Sequence, residues 1–336
     1  MTHFDAHTAV IVGLGSAGRR HLRNLRTLGV ERFILVRTGR STLGEVEEAP
    51  PGTVAVRSVE AAIERGPTIA VISNPTSMHV EPAIAVAEAG CHLLIEKPVV
   101  HRLEDLSRLT EAVGRAGVTA AVGCQFRFHP LIERLRSLIG GERLGRVYAA
   151  RAVYREHLPA WHPWEDHRHG YAAREDLGGG CIRTLIHAPD ILRYLFGPIE
   201  SASAAIARCP SLETSVPDDA ASLTLGFEAG VTATVELDLV TAPPENGVQV
   251  FGDHGRASID LLSGRLEFID RTGESTIESV PSGFERNDLF VALARNFLEA
   301  IAEGRDPRTP LAQGVDVLRP LLHARDRALD RLVAAA

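Results

Sequence analysis

Ala9-Val10-Ile11-Val12 runs without a polar residue into Gly13-Leu14-Gly15-Ser16-Ala17-Gly18, and Arg19 to Leu28 follow with Leu22, Leu25 and Leu28 at helical spacing. A strand, a glycine turn and a helix in that order form a phosphate-binding fingerprint for a dinucleotide. Gly13 permits the tight turn, Gly15 lets the backbone approach a pyrophosphate, and Gly18 lets the helix pack close to the strand. Ser16 and Ala17 open that helix, whose free N–H groups and positive dipole end suit phosphate oxygens. The competing reading is a glycine-rich turn on some other α/β protein.

The pattern around the turn favours the nucleotide. Through about residue 123, strand-like runs (Thr8-Val12, Arg32-Val36, Thr53-Val56, Ile69-Ser73, His92-Ile95, Thr119-Gly123) alternate with helical stretches. Two of these, Ser77-Gly90 and Leu103-Gly117, stop at a glycine. Such alternation predicts an α/β, doubly wound parallel sheet of the Rossmann kind over residues 1–123. Beyond about residue 145 strand-like runs become consecutive: Val147-Tyr154, Ala220-Phe227, Val231-Leu239, Gly247-Phe251, Ala257-Leu261, Arg265-Ile269 and Glu274-Val280. Consecutive strands predict an α+β domain over residues 124–336 with an open, mainly antiparallel sheet. Helices are expected at Ile182-Leu195, Asp288-Glu303 and Leu311-Leu332, the last packing back onto the first domain. An open sheet needs cover on its second face, so a homodimer or homotetramer through that face is expected.

Bulk properties narrow the function classes. The 336 residues are 45% hydrophobic and 24% charged, an ordinary globular composition long enough for two cores. A net charge of −7 without a basic block argues against a nucleic-acid partner. No apolar run reaches membrane-spanning length and the first residues lack a signal-peptide core, so no membrane association is expected. Cys91, Cys124, Cys181 and Cys209 are scattered without metal-ligand or redox spacing, consistent with packing thiols in a reducing cytoplasm.

Three segments end predicted strands, the edge of an open α/β sheet where ligands bind. They are Ser73-Asn74-Pro75-Thr76 with His79 behind it, Glu96-Lys97-Pro98, and Gln125-Phe126-Arg127-Phe128-His129-Pro130. Lys97 would emerge near the nicotinamide end of the cofactor, where a cationic ring makes its deprotonation easier and suits proton relay or carbonyl polarisation. From position alone a surface lysine is an equal reading. Further on, His187, Asp190 and Tyr194 recur at helical three- and four-residue spacing, so His187 and Asp190 share a face. A partly buried structural histidine is the competing reading there.

Taken together, these segments resemble the Gfo/Idh/MocA oxidoreductases. The glycine turn followed by His21, Asn74-Pro75-Thr76 with His79, Glu96-Lys97-Pro98, Arg127-Phe128 before Pro130, and Gly178-Gly179-Gly180 leading to His187 and Asp190 carry the resemblance. Asp218-Asp219 and Gly252-Asp253-His254-Gly255 extend it along nearly the whole chain. The resemblance implies a Rossmann domain plus an open-sheet domain, NAD or NADP as cofactor, and a sugar, cyclitol or related polyol as substrate. It implies Lys97 and His187 as the catalytic pair facing the cofactor ring. It also places Ser73, Asn74, Pro75, Thr76, His79, Glu96, Gln125 and Arg127 at the cofactor. Arg127, Tyr154, Arg183, Thr184 and Asp190 join Lys97 and His187 at the substrate. One departure stands out: many members carry an aspartate three or four residues before the histidine, where this chain has Thr184 and Arg183. A threonine can share a hydrogen bond but cannot serve as a carboxylate.

The loop His157-Leu158-Pro159-Ala160-Trp161-His162-Pro163-Trp164-Glu165-Asp166-His167-Arg168-His169 holds both tryptophans of the chain. Aromatic faces stack on sugar rings, so Trp161 and Trp164 are expected over the substrate. The spacing of its four histidines matches no metal motif, and no metal is expected. NAD enzymes usually place an acid at the end of the second strand, yet this strand ends Val36-Arg37-Thr38-Gly39-Arg40-Ser41. Arg37, Thr38 and Arg40 instead suit a 2′-phosphate, which predicts NADP in preference to NAD. The competing functions are a non-catalytic sensor of the same fold and a redox-neutral glycoside-cleaving enzyme. Retained Lys97 and His187 argue against the first, and no extra motif supports the second.

Overall fold

In a computed structural model, which describes residues 4–37, 49–141 and 143–335, the chain divides into two compact units. The first contains residues up to Gln125 together with Glu285–Val315. Its chain order is β1 (Thr8–Val12), α1 (Ser16–Thr27), β2 (Arg32–Val36), β3 (Val54–Val56), α2 (Val59–Ile63) and β4 (Ile69–Ile72). Then follow α3 (Val80–Glu88), β5 (His92–Ile95), α4 (Leu103–Ala116) and β6 (Ala120–Val122). The sheet order is β3-β2-β1-β4-β5-β6 and every pairing is parallel. Order reverses between β1 and β4, which puts the switch point at the Gly13 turn. Strands buried on both faces must be apolar throughout, and Ile69-Ala70-Val71-Ile72 are all 0% exposed.

The second unit begins at Phe126. It contains α5 (Pro130–Gly140), β7 (Val147–His157), α6 (Cys181–Thr184), α7 (His187–Phe196), β8 (Ile199–Ala207), β9 (Ala220–Phe227) and β10 (Thr232–Asp238). It continues through β11 (Val240–Gly252), β12 (Gly255–Asp260), β13 (Arg265–Asp270) and β14 (Ser275–Ser279). The eight strands order as β14-β13-β12-β11-β7-β10-β9-β8, antiparallel except for β7 beside β10. Leu223, Leu225, Val235, Leu237, Val248, Val250, Ile259 and Phe268 point to one face, which α5 and α7 cover. Alternate positions Thr224, Thr234, Arg151, Gln249 and Phe251 line the other face and remain exposed.

The structure differs from the sequence expectation at several points, of which three matter most here. The single helix Ile182-Leu195 is two, because the chain turns at Leu185 and Ile186 between α6 and α7. Strand β8 was not anticipated: its Ser and Ala side chains bury little at a sheet edge and give almost no apolar alternation. Residues 285–315, expected in the second domain, group with the first unit. There α8 (Arg286–Glu303) lies on α1, with Asn24 and Asn287 exchanging amide hydrogen bonds and the Arg20 guanidinium 4.3 Å from the Phe290 ring. The last helix, α9 (Leu311–Ala335), starts in the first unit and contributes residues from Asp316 onward to the second.

Candidate active site

The glycine turn is built by steric necessity. Gly13 has φ +93°, and a Cβ there would stand 2.4 Å from the Asn74 nitrogen. A Cβ at Gly18 would stand 1.9 Å from the Gly13 carbonyl oxygen. Ser73 fastens the same corner, its hydroxyl placed 2.8 Å from the Gly13 carbonyl and 3.1 Å from that of Val12. Gly15 is different: a Cβ there meets nothing within 4 Å. As the N-cap of α1 it supplies no side chain to the helix's first N–H groups. Close packing on two glycines and open space with bare N–H groups at the third fit a bound pyrophosphate.

Lys97 follows the carboxyl end of β5, and the preceding Glu96 is clamped. Its Oε1 lies 2.8 Å from His21 Nε2 on α1, and its Oε2 accepts from the Lys97 backbone N–H at 3.2 Å. Burial opposes ionisation of Glu96, but His21 and the charge and N–H of Lys97 hold its carboxyl below the usual range. Gly123 permits this approach, since a Cβ there would lie 2.9 Å from Oε2. The helix that opens at the glycine turn and the loop that carries Lys97 are therefore tied through one carboxylate. His79 is a second strut: its ring lies 2.8 Å from the Asn74 carbonyl and 3.2 Å from that of Val99, and burial favours its neutral form. Asn74 Nδ2 donates to the Met78 carbonyl, closing the Asn74-Pro75-Thr76 turn. Arg37 follows β2 and its N–H bonds the Val56 carbonyl of β3. Thr38 and Arg40 lie outside the described residues.

In the second unit His187 is the first residue of α7 and 6% exposed. Two rings frame its imidazole: Phe126 edge-on at 5.0 Å and Tyr154 of β7 at 5.6 Å. One turn along, Asp190 receives both prongs of the Arg127 guanidinium, at 3.0 Å and 2.5 Å. Both side chains are almost wholly buried, 1% and 3% exposed. Each buried charge costs several kcal/mol in desolvation, and a bidentate pair is the geometry that offsets it. Arg127 and Asp190, both expected at ligands, thus hold α7 to the segment Phe126–Phe128. Tyr194, next on that face, donates to Glu133 of α5 and lies under Arg127 and Arg136. His129 caps α5 by accepting from the Leu131 N–H, a role only a neutral ring can take; burial lowers its pKa to about 4.

Around the glycine run, Gly179 and Gly180 thread between the Tyr171-Ala172 carbonyls and Asp218. Arg183 turns back on this run, its Nε donating to the Gly179 carbonyl and Nη2 pairing with Glu175. Thr184 ends α6, buried three residues before His187. Trp161 Nε1 donates to Glu156, which also accepts from Asn246, while Trp164 is 74% exposed beside His162. Arg168 ties the loop to Glu213, and the His167 ring lies 2.9 Å from the Leu212 carbonyl. Among the described residues no three His, Cys, Asp or Glu side chains converge as a metal cluster. Sequence reading missed Phe126 as a wall of the histidine pocket, and missed Glu175 and Arg325. A signal for Arg325 exists: it interrupts the apolar stripe Leu318, Leu321, Leu322, Ala328 of α9.

Comparison with known proteins agrees with this layout. Residues 7–124 match the model of an oxidoreductase family with an NAD-binding Rossmann fold, and residues 132–258 match the GFO/IDH/MocA C-terminal domain. The chain is 27% identical over 316 residues to the scyllo-inositol 2-dehydrogenase (NAD(+)) of Bacillus subtilis (strain 168), covering 91% of this chain and 88% of that one. It is 26% identical over 275 residues to the 1,5-anhydro-D-fructose reductase of Ensifer adhaerens, covering 79% and 81%. A levoglucosan dehydrogenase solved with NADH and levoglucosan superposes with TM-score 0.84 at 18% identity, over 96% of this chain and 97% of that one.

Proposed function

The chain belongs to the Gfo/Idh/MocA oxidoreductases, and from that membership we propose that it transfers a hydride between a nicotinamide cofactor and a secondary alcohol or ketone of a sugar, amino sugar, nucleotide sugar or cyclitol. The observation that carries this reading is the Glu96 clamp, which fixes Lys97 at the carboxyl end of β5 in the same unit as the glycine turn. Gly13, Gly15, Ser16, Ala17 and Gly18 would hold the pyrophosphate, and the bound nicotinamide would supply the hydride acceptor or donor. In the oxidative direction His187 takes the hydroxyl proton, the carbon gives up its hydride, and Lys97 hydrogen-bonds the oxygen as it becomes a carbonyl. In reduction the proton runs from His187 to that oxygen. Arg127 and Asp190 orient His187 rather than touch substrate, a reading supported by their mutual bidentate pairing. Trp161 and Trp164 stack on the sugar.

NADP is favoured over NAD because Arg37 follows β2 where an acid would bind the ribose 2′-hydroxyl. A second copy covers the exposed face of the eight-stranded sheet, where Phe251 and Ile277 are 38% and 51% exposed. With Cys91, Cys124, Cys181 and Cys209 all free thiols, the chain is assigned to the cytoplasm. The test is turnover of a panel of aldoses, cyclitols and nucleotide sugars, followed by nicotinamide absorbance, in wild type, Lys97→Ala and His187→Ala. Each variant should lose about a hundred- to ten-thousandfold in kcat with cofactor affinity retained. A variant that keeps most of its kcat on the true substrate removes that residue from the chemistry.

A further inference from the structure

The second unit contains a cluster of four charges, three of them buried (Arg183, Asp218, Arg325) and Glu175 40% exposed, that the proposed reaction does not use. Arg325 of α9 is 4% exposed. Its Nε donates to Asp218 Oδ1 at 2.9 Å and its Nη2 to Glu175 Oε2 at 2.7 Å. Glu175 Oε2 also receives Arg183 Nη2 at 2.5 Å. Asp218 Oδ2 accepts from the Ile182 N–H at 3.1 Å, and the Asp218 carbonyl accepts from the Cys181 N–H at 2.8 Å. Two guanidinium groups thus face two carboxylates, the balance that burial of charge demands.

The cluster's bonds converge on one short segment. Asp218 holds the first two N–H groups of α6, and Arg183 ties α6 to the glycine run. A four-residue helix cannot sustain itself, so its orientation comes from what grips it. The contact has no slack: a Cβ on Gly180 would lie 2.5 Å from Asp218 Oδ1. After α6 the chain turns at Leu185 and Ile186 and delivers His187 as the first residue of α7. We propose that Arg325 and Asp218 are positioning residues for the reaction: by gripping the first turn of α6 they set the place and angle of His187. The proposal rests on the reading of His187 as acid/base.

A distinctive pH behaviour follows. Burial pushes the Asp218 carboxyl above its ordinary range, opposed first by Arg325 and then by Arg183 and the Ile182 N–H. The groups around Asp218 are Arg325 of α9, Arg183 and Cys181 of α6, and Glu175 through the shared guanidinium. The Cys181 thiol is itself pushed up by burial and by the charges of Asp218, Asp219 and Asp238, so it stays neutral and adds no negative charge beside Asp218. Without the Arg325 charge, burial acts on Asp218 with less opposition and protonation begins at higher pH. A protonated Asp218 is a poorer acceptor for the Ile182 N–H, and the grip on α6 loosens as pH falls.

The experiment compares wild type with Arg325→Met, Arg325→Lys and Arg325→Met combined with Asp218→Asn. Arg325→Met should lose about a hundredfold in kcat, the scale of an ångström misplacement of a reacting group. Its nicotinamide affinity should stay at wild type, and the acidic limb that a general base at His187 gives kcat for alcohol oxidation should shift to higher pH. Arg325→Lys should recover most of the kcat and restore the wild-type limb, and the double variant should show no such shift. Loss of activity without a shifted limb and without rescue by lysine would make the cluster a fold brace alone and overturn the proposal. If Arg325→Met does not fold, Glu175→Gln at the cluster's half-exposed end is the second variant, with a smaller loss of kcat and unchanged cofactor affinity expected; wild-type kcat there overturns the proposal too. In ligand-free protein the His187 imidazole NMR signal, assigned by its loss in His187→Gln, should move in Arg325→Met and return in Arg325→Lys. A signal that does not move contradicts the positioning role whether or not any alcohol is turned over. A signal that moves in a chain with no hydride transfer instead sinks the acid/base reading.

Discussion

Replacing Gly15 with alanine should weaken the cofactor while leaving the fold near its wild-type stability. Gly15 has φ −68° and ψ −169°, extended backbone that alanine adopts freely, and its built Cβ meets no atom within 4 Å. For folding alone the gain of about 0.4–1 kcal/mol from a narrower unfolded ensemble is offset by alanine's poorer fit at the N-cap of α1. The same methyl stands where the backbone must approach the pyrophosphate. Loss of one charge-assisted hydrogen bond costs about 1.5–3 kcal/mol, or about ten- to a hundredfold in affinity. The control is Gly13→Ala. At φ +93° the left-handed backbone costs alanine about 1–2 kcal/mol, and the 2.4 Å approach to the Asn74 nitrogen adds more. Gly13→Ala should therefore melt several degrees lower, at about 2–4 °C per kcal/mol for a chain of this size. Thermal melts and calorimetric titration with NADH and NADPH read both quantities. Wild-type nucleotide affinity in Gly15→Ala would refute the assignment of the turn.

Arg37→Ala should weaken NADPH several-fold more than NADH in paired titrations, since only the phosphorylated ribose gains a charge-assisted contact; a wild-type preference for NADH would end the NADP reading. Trp164→Ala should raise the substrate KM without changing the melting temperature, as this ring is 74% exposed. Trp161→Ala should raise KM and also loosen the loop, because it forfeits the hydrogen bond to Glu156; unchanged KM in both returns the loop to packing. His129 contributes a pH-dependent loss of stability. Its folded pKa of about 4 lies below the ordinary imidazole value of 6.5, so between those values the unfolded chain binds more protons. Stability then falls as pH drops through that window, by at most about 3 kcal/mol. His129→Asn keeps an N-cap oxygen, and chemical denaturation from pH 7 to pH 4 should show a flatter decline.

How much of this was legible in the sequence follows from what each feature depends on. The six parallel strands are short apolar runs between turn residues, and all six appear where expected because strand identity there is local. The eight-stranded sheet was legible wherever alternation was strong, as in Ala220-Phe227. Strand β8 hid in Ser and Ala at an edge, and the first half of β11 hid behind Pro243 and Pro244, which sit where its register with β7 is irregular. Helical periodicity runs smoothly across Leu185 and Ile186, so the break before His187 left no trace. Lys97 and His187 were named from sequence, and so were His21, Glu96, Arg127 and Asp190 as motif or ligand residues, but the pairings by which these hold the segments of Lys97 and His187 were not. His21 with Glu96 spans 75 residues and Arg127 with Asp190 spans 63, separations that no spacing rule reaches. Arg325 with Asp218 spans 107, and only its place on an apolar stripe marks it.

The central claim is net hydride transfer from a secondary alcohol to the nicotinamide. It is tested most directly by a single turnover of a substrate from the panel, deuterated at the reacting carbon, against oxidised cofactor. The account predicts deuterium at C4 of the released reduced nicotinamide, at a rate that collapses in Lys97→Ala and His187→Ala. Recovery of the cofactor in its oxidised form with the deuterium back in a cleaved product, or transfer undiminished in both variants, would contradict it.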